Sequence, residues 1–220
     1  MRAWRSVVFV LMGLMSLPVA PAAGQSSTVP EDPAQFESDP LIGGNKFVTT
    51  SFKSLQKWDR VRVYVNGEKT LREPGLAPWL DWARSLRDQP VNKRLAAINR
   101  KVNGAFRYQV DRATWGKDDY WETPAEAVEK GRLDCEGFAI FKMYLAYVAG
   151  IGAEDMAILV GKIPSTGEGH AILLAGGNGV GYVLDNRSPY IVDTDTYGDF
   201  KVLYSVDFND LWMYPALFQR

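Results

Sequence analysis

The sequence predicts a single α+β domain in which helices come first along the chain and an antiparallel sheet follows. Residues 76–148 contain apolar patterns with the spacing of amphipathic helices. Short apolar runs separated by glycine-rich turns follow, and they predict strands at residues 156–160, 170–175, 181–185, 190–192 and 201–205. Because the turns are short, antiparallel pairing is expected, with the helices packed on the sheet.

The composition indicates a globular protein with a sizeable core. Of 220 residues, 46% are hydrophobic and 12% are aromatic, which is enough to bury a core and excludes a disordered chain. The formal net charge is −1 and no basic run is present, so the sequence does not suggest binding to nucleic acid.

The N-terminal residues predict a secretory signal peptide at 1–23. Arg2 and Arg5 precede a short apolar run, and small residues of the A-x-A type follow it. The run is short for a membrane span and contains Pro18, which favours cleavage over the alternative of an N-terminal anchor. Residues 24–45 are rich in Ser, Pro, Gly and acid and are expected to form a flexible leader, so that residues 46–220 form the single domain.

The first part of the domain is expected to be mainly helical. Residues 54–65 begin with helical spacing and end with an alternation that is typical of a strand. Residues 76–86 and 91–102 predict two amphipathic helices, because their apolar residues recur at three and four. Residues 106–110 alternate and predict a short strand, whereas the polar residues 111–121 predict irregular structure.

Two further helices have clear starts in the sequence. Thr123 is expected to be an N-cap, with Pro124 as the first helical residue and Glu126 completing a capping box. A longer, mostly buried helix is expected from residue 135 to 148, and Gly150 ends it.

Cys135 is the only cysteine of the chain and lies at the predicted start of this buried helix. The N-terminus of a helix favours a thiolate, because free N–H groups and the positive end of the dipole lie there. A single cysteine in an exported protein cannot form an internal disulfide. It is therefore either functional or, as the alternative, buried and inert.

His170, the only histidine, begins one predicted strand, and Asp185 ends the next. A hairpin at residues 176–181 joins the two strands, so antiparallel pairing would bring the two side chains together. One Cys, one His and one Asp on separate elements are what a nucleophile, a general base and an orienting acid require. The alternative for His170 is an ordinary surface position in a glycine-rich loop.

The order of these three residues resembles the transglutaminase-like branch of the papain-like fold. More narrowly, the chain resembles the bacterial transglutaminase-like cysteine proteinases of the LapG type over roughly residues 50–215, in the blocks 115–126, Asp134-Cys135-Glu136, 169–173 and Leu184-Asp185-Asn186. The resemblance implies N-terminal helices packed on an antiparallel sheet. It also implies that Cys135 is the nucleophile, His170 the base and Asp185 the residue that orients the base.

The resemblance further implies a periplasmic, calcium-dependent cysteine endopeptidase. Such a protease cleaves a large, repeat-containing surface adhesin near its N-terminus, after paired alanines, and so controls release from a biofilm. An inner-membrane receptor for cyclic di-GMP is implied as the partner that sequesters it. The predicted signal peptide agrees with a periplasmic location, and no membrane insertion is expected after cleavage.

Calcium binding is implied at the acids beside the cysteine. By resemblance, Asp134 and Glu136 would bind Ca²⁺, with Asp119 from the preceding acidic loop as a lesser candidate. The alternative is that they are ordinary acids favoured at a helix N-terminus. The family usually has a second acid after the glutamate, whereas this chain has Gly137, which predicts weaker binding of calcium. No organic cofactor is expected.

Other functions and roles remain open from the sequence. A transglutaminase or a peptidoglycan amidase would use the same triad, and a non-catalytic module could retain the fold to bind a receptor. The backbone N–H of Cys135 is expected to help stabilise an oxyanion, with Asn103 as a candidate second donor. Four aromatic residues could line a substrate groove or pack in the core: Trp115, Tyr120, Trp121 and Tyr144.

Overall fold

Helices and strands follow one another largely in the predicted order. The computed structural model describes residues 36–38, 45–49, 56–66, 73, 75–177, 180–209 and 211–214, which all belong to the unit Ala34–Arg220. The predicted signal peptide and most of the predicted leader lie outside the described residues. The α-helices of the described part are α1 (Gln56–Asn66), α2 (Ala77–Arg84), α3 (Val91–Ala105), α4 (Asp111–Trp115), α5 (Pro124–Lys130) and α6 (Cys135–Val148).

The strands of the described residues form one long sheet and one short pair. They are β1 (Phe36–Ser38), β2 (Asn45–Thr49), β3 (Arg107–Tyr108), β4 (Arg132–Leu133), β5 (Met156–Lys162), β6 (Gly169–Gly177), β7 (Val180–Leu184), β8 (Val192–Asp193), β9 (Lys201–Val206) and β10 (Leu211–Met213). The long sheet has the order β1-β2-β10-β9-β5-β6-β7-β8, and all its neighbours are antiparallel. Strands β3 and β4 pair in parallel just before α6. The α+β class with an antiparallel sheet is thus confirmed.

Helix α6 is the centre of the core. It packs on β5 and β6 on one side and on α2, α3 and α5 on the other. Nearly every side chain along it is buried, which explains why its sequence is apolar on all faces rather than amphipathic. The opposite face of the sheet is covered by a smaller apolar cluster, formed by Leu159, Ile172, Leu174 and Val183 with Tyr197 and Phe200 packed against them.

Two local expectations were wrong, and both have physical reasons. The strand-like end of residues 54–65 belongs to α1, because Trp58, Val61 and Val65 lie on one helix face in the core while Val63 points outward with 60% of its surface exposed. The segment 111–121, expected to be irregular, begins with the short helix α4, which Gly116 ends at a positive φ of 66°.

Other boundaries agree with expectation. The capping box at Thr123 and Glu126 is present, Pro124 begins α5, and α6 runs over the predicted residues. Helix α3, in contrast, extends three residues past its predicted end at residue 102, through Asn103 and Gly104 to Ala105. None of the described helices has the length and apolar composition that crossing a membrane requires.

Candidate active site

The start of α6 fixes the position of Cys135. Asp134 is the N-cap, and its Oδ1 accepts a hydrogen bond of 3.0 Å from the backbone N–H of Gly137. The carbonyl of Asp134 accepts from Phe138. These bonds use the third and fourth N–H groups, so that the N–H of Cys135 lies at the open end of the helix, where an oxyanion would be stabilised.

The Cys135 thiol is buried among acceptors that favour its protonated form. Its Sγ donates to Glu136 Oε2 at 2.9 Å. Burial and then the neighbouring charge of Glu136 raise the pKa of Cys135, and a hydrogen bond from the backbone N–H of Ala171 opposes that rise. The contact with Ala171 places the thiol against the strand that contains His170. The dipole of the helix is therefore outweighed in this state of the site.

His170 and Asp185 form a buried pair. His170 Nε2 lies 2.9 Å from Asp185 Oδ1, and each side chain is only 6% exposed. The two residues are not directly opposite, since the β6–β7 ladder ends at Leu173 and Leu184, but the chain beyond β7 brings the carboxylate back to the ring. Since Nε2 bonds to the carboxylate, Nδ1 is the nitrogen left for the proton of a thiol.

Asp185 is held by donors that the sequence did not reveal. Arg187 donates to Oδ2 from Nη2 at 2.9 Å and from its Nε at 3.0 Å, and its backbone N–H donates to Oδ1 at 2.9 Å. Tyr197 donates its hydroxyl to Oδ2 at 2.8 Å. Burial alone raises the pKa of Asp185, but the bonds from His170 and Arg187 outweigh it and hold the pKa well below its usual range.

The loop that follows Asp185 is fixed from α3. Asn103 Nδ2 donates to the carbonyls of Asp185 and Ser188, at 3.0 and 2.8 Å, and Asn99 Nδ2 donates to Ser188 at 2.9 Å. The amide of Asn103 is therefore already bonded to backbone, and the suggestion that it donates to an oxyanion is not supported. Its role is to position the acid of the His–Asp pair.

A cleft of about 520 Å³ opens beside His170. It is lined by Tyr108, Ile163, Glu168, Gly169, His170, Asn186 and Arg187. Partial burial and then the nearby Cys135 and Asp134 raise the pKa of Tyr108 to about 12, so its phenol stays protonated and can donate toward a bound peptide. The cleft thus has apolar walls, hydrogen-bond donors and both signs of charge, as a peptide groove requires.

Three carboxylates form a buried cluster beneath the start of α6. One oxygen each from Asp111, Glu122 and Asp134 lie within 4.8 Å of one another. Burial is the main cause that raises the pKa of each, to about 8 for Glu122. Two oxygens bound to the same Ca²⁺ at 2.3–2.6 Å are at most about 5 Å apart, so the spacing of the cluster fits this ion.

The cluster shares only Asp134 with the metal-binding set expected from the sequence. Glu136 instead accepts the thiol hydrogen of Cys135. Asp119 is half exposed and pairs with Lys57. Asp111 and Glu122 were missed, because a helix of five residues and an isolated glutamate before an N-cap have no periodic pattern that indicates burial.

Lys142 is a second group that sequence analysis missed. It lies on α6, is 0% exposed, and its Nζ has no hydrogen-bond partner among the described residues. Burial lowers the pKa of Lys142 to about 7, although the charge of Asp185 opposes the shift. A buried cation therefore lies within electrostatic range of the acid of the His–Asp pair.

Of the four aromatic residues considered for a substrate groove, two are buried in the core and two are half-buried. Trp121 and Tyr144 are buried in the core, and Trp121 packs edge-on against Trp58 with ring centroids 5.9 Å apart. Trp115 and Tyr120 pack on each other at 4.7 Å. None of the four lines the cleft beside His170.

The comparisons with known proteins agree with this geometry. The sequence profile described as "bacterial transglutaminase-like cysteine proteinase BTLCP" matches residues 83–213. Legionella pneumophila LapG is similar in structure, with a TM-score of 0.57 and 25% identity over 71% of this chain and 87% of that chain. Its calcium-bound form gives 0.55 and 26% identity over 72% and 86%, and its EGTA-treated form gives 0.56 and 25% over 70% and 84%. No curated protein gives a significant match.

The profile covers more than half of the chain. The matched segment includes the buried cysteine, the His–Asp pair and all three acids of the cluster. The structural match to Legionella pneumophila LapG extends over 87% of that chain. This chain therefore belongs to the bacterial transglutaminase-like cysteine proteinases and is a cysteine protease of the LapG type.

Proposed function

We propose that the protein is a periplasmic, calcium-dependent cysteine endopeptidase that uses Cys135, His170 and Asp185 as its catalytic triad. The proposal rests above all on one observation, the buried 2.9 Å contact between His170 Nε2 and Asp185 Oδ1. His170 lies on β6, and the next residue of that strand, Ala171, donates its N–H toward the Cys135 thiol. A histidine oriented in this way beside a cysteine at a helix N-terminus is suited to activate a nucleophile.

The roles of the three residues follow from their bonds. Because the pKa of Asp185 is held low, the carboxylate is ionised and accepts a hydrogen bond from the Nε2–H group, which leaves Nδ1 of His170 as a base. The thiol proton moves to Nδ1, and Sγ forms a bond to the scissile carbonyl carbon. The carbonyl oxygen becomes negative near the N–H of Cys135, which lies at the open end of α6.

The remaining steps return the enzyme to its starting state. Collapse of the tetrahedral intermediate breaks the C–N bond, and His170 gives its new proton to the leaving amine. Water then attacks the thioester while His170 removes a proton from it, and the C–S bond breaks to release the acid and the thiol. Arg187 and Tyr197 hold Asp185 in place throughout, because each donates to the oxygen that His170 does not use.

Calcium is proposed as the ion of the acidic cluster. Asp134, already expected to bind it by resemblance, lies in the cluster of three acids whose spacing fits the ion. When bound, Ca²⁺ supplies positive charge next to a thiol that is otherwise surrounded by carboxylates. The calcium-bound and EGTA-treated forms of Legionella pneumophila LapG support this assignment.

The proposed substrate is the N-terminal region of a large, repeat-containing surface adhesin, whose cleavage releases cells from a biofilm. The proposed partner is an inner-membrane receptor for cyclic di-GMP that sequesters the protease. Both come from the resemblance to the LapG-type proteases. The open cleft beside His170 supports a peptide substrate in general, because it is lined by donors, acceptors and apolar surface.

The test is cleavage of a recombinant N-terminal adhesin segment by the purified protein in CaCl₂, followed by mass spectrometry of the products. We expect one cut next to small residues, none with Cys135→Ser, and unchanged cutting with Asp195→Asn, which removes an exposed acid near the same end of the sheet. Retained cutting in Cys135→Ser would refute the triad. Transfer of an added amine to the product, or no reaction of the thiol with iodoacetamide at any pH, would instead indicate a transglutaminase or a non-catalytic module.

A further inference from the structure

We propose that Glu122 is a calcium ligand of this protein and takes the place of the acid that related proteases have at position 137. This inference rests on the calcium dependence proposed above and assigns one ligand of that site. It concerns two positions that are 15 residues apart in sequence and in contact in the fold. Because Gly137 has no side chain, the carboxylate of Glu122 can occupy the space that an acid at position 137 would take.

The carboxylate of Glu122 occupies the space in front of position 137. A Cβ atom added to Gly137 would lie 2.0 Å from Glu122 Oε1, 2.8 Å from its Cδ and 3.0 Å from Leu133 Cδ2. Real atoms do not approach so closely, so no side chain at 137 can coexist with Glu122 in this position. The backbone at Gly137 is helical and does not itself require glycine. Glycine is required at position 137 because the carboxylate of Glu122 fills the space of a side chain there.

Glu122 is buried with few partners for its charge. Its side chain is 1% exposed, and among the residues that the structure describes neither carboxylate oxygen has a hydrogen-bond partner apart from its own backbone N–H. A buried carboxylate that lacks a partner for its charge is destabilising. A bound cation would supply the missing partner and remove that destabilisation.

The neighbours of Glu122 place its carboxylate toward the cluster. Trp121, just before it, is fully buried against Trp58, and Thr123, just after it, is the N-cap of α5. With the backbone fixed on both sides, one oxygen of Glu122 lies within 4.8 Å of oxygens from Asp111 and Asp134. The geometry is therefore that of a prepared site and not of a side chain folded inward by chance.

The donors select a hard cation. The three groups that converge offer only carboxylate oxygens, which suits Ca²⁺, whereas Zn²⁺ and copper favour the nitrogen and sulfur of His and Cys. Asp111 also accepts from the N–H of Tyr120, and Asp134 accepts from Gly137. Each acid keeps lone pairs free for an ion, because a carboxylate accepts about four bonds.

The experiment is calorimetric titration of the chelated, full-length mature protein with CaCl₂, with melting temperature as a second readout and MgCl₂ as a comparison. We expect one Ca²⁺ site in the wild type. Glu122→Gln, which keeps size and removes charge, should weaken binding by roughly tenfold or more, since affinity follows the number of charged ligands. It should also raise the melting temperature in EGTA. The matched control, Glu129→Gln at an exposed acid of α5, should bind as the wild type does.

An exchange of positions gives the sharpest test. Gly137→Asp alone should destabilise the protein, because its side chain overlaps Glu122, and Glu122→Ala alone should lose calcium affinity. The double variant Glu122→Ala with Gly137→Asp should recover affinity to within several-fold of the wild type. Wild-type affinity in Glu122→Gln would overturn the ligand assignment alone. Absence of any Ca²⁺ binding by the wild type would instead overturn the calcium dependence of the proposed function.

Discussion

The two halves of the candidate site differ in how completely their polar atoms are bonded. Around Asp185, both carboxylate oxygens accept hydrogen bonds, from His170, Arg187 and Tyr197. Beside the start of α6, by contrast, the carboxylate of Glu122 has no partner within the described part of the chain apart from its own backbone N–H, and the thiol of Cys135 donates to Glu136. Protein groups therefore orient the base, His170. The charged neighbours of the nucleophile, Cys135, are carboxylates, and these favour the protonated thiol.

The largest expected effect comes from breaking the well-bonded half. Asp185→Asn should lower kcat/KM by roughly 1,000- to 10,000-fold, because the amide would favour the wrong tautomer of His170. It should also slow alkylation of Cys135 by iodoacetamide at pH 6–7. Activity is measured on the adhesin segment, with Asp195→Asn as control. A loss of less than tenfold would mean that Asp185 does not orient the base.

A second effect concerns Lys142, which is buried and whose Nζ has no hydrogen-bond partner in the described part of the chain. Its pKa is about 7 in the folded state and ordinary, 10.5, in the unfolded chain. The unfolded state therefore holds more protons between these values, and stability rises with pH over this window. Lys142→Met should raise the free energy of unfolding by on the order of 3 kcal/mol at pH 7, and the gain should shrink toward pH 10.

Urea unfolding at pH 7 and pH 9.5 would measure this gain. Lys93→Met, a change on the exposed surface of α3, is the matched control and should show no such dependence. A gain that is equal at both pH values would show that Lys142 is not charged at a cost. A loss of stability at pH 7 would show that the lysine makes a favourable contact with Asp185.

Removal of calcium should affect the two halves differently. With EGTA, amide hydrogen exchange should speed up in peptides that cover residues 111–138, where the cluster and the start of α6 lie. It should change little in peptides that cover residues 183–198, which are fixed by protein groups. Mass spectrometry measures both regions in one sample. Equal acceleration in both would indicate that the ion stabilises the whole fold and not the nucleophile half.

The smallest expected effect is on a single donor of the well-bonded half. Tyr197→Phe removes the 2.8 Å bond to Asp185 Oδ2 but leaves Arg187 in place. We expect a loss of about 1 kcal/mol in stability at pH 7 and a few-fold loss in kcat/KM. Tyr190→Phe, at an exposed tyrosine of the same loop region, is the control. A loss as large as that of Asp185→Asn would mean that Arg187 alone cannot hold the acid.

The sequence predicted those parts that depend on local pattern. Helix α6 and the capping box of α5 follow from caps and apolar runs. The hairpin predicted that His170 and Asp185 lie close together, although their contact also depends on the chain beyond β7. The sequence did not predict the burial of Asp111 or Glu122, which depends on packing between distant segments. The alternating valines at the end of α1 fit the period of a strand as well as that of a helix, so the sequence did not decide between the two. In the structure they belong to the helix, whose inner face includes the buried Trp58.

The sequence contains one sign of the acidic cluster, at position 137. By resemblance, Gly137 departs from the pattern of the family, and considered alone it predicted weaker calcium binding. The structure places Glu122 in the same space. If Glu122 is a calcium ligand as proposed, the departure is one half of a pair of changes. Such pairs escape sequence reasoning because the two positions belong to different elements and neither is unusual for its own.

Asp134 caps α6 and also belongs to the acidic cluster. If the cluster binds Ca²⁺ as proposed, the same carboxylate links the ion to the residue next to the nucleophile. If the chain is also exported as proposed, a newly made chain would be inactive in a calcium-poor cytosol and would become active in calcium-richer surroundings. Calcium binding would then by itself protect cytosolic proteins from cleavage.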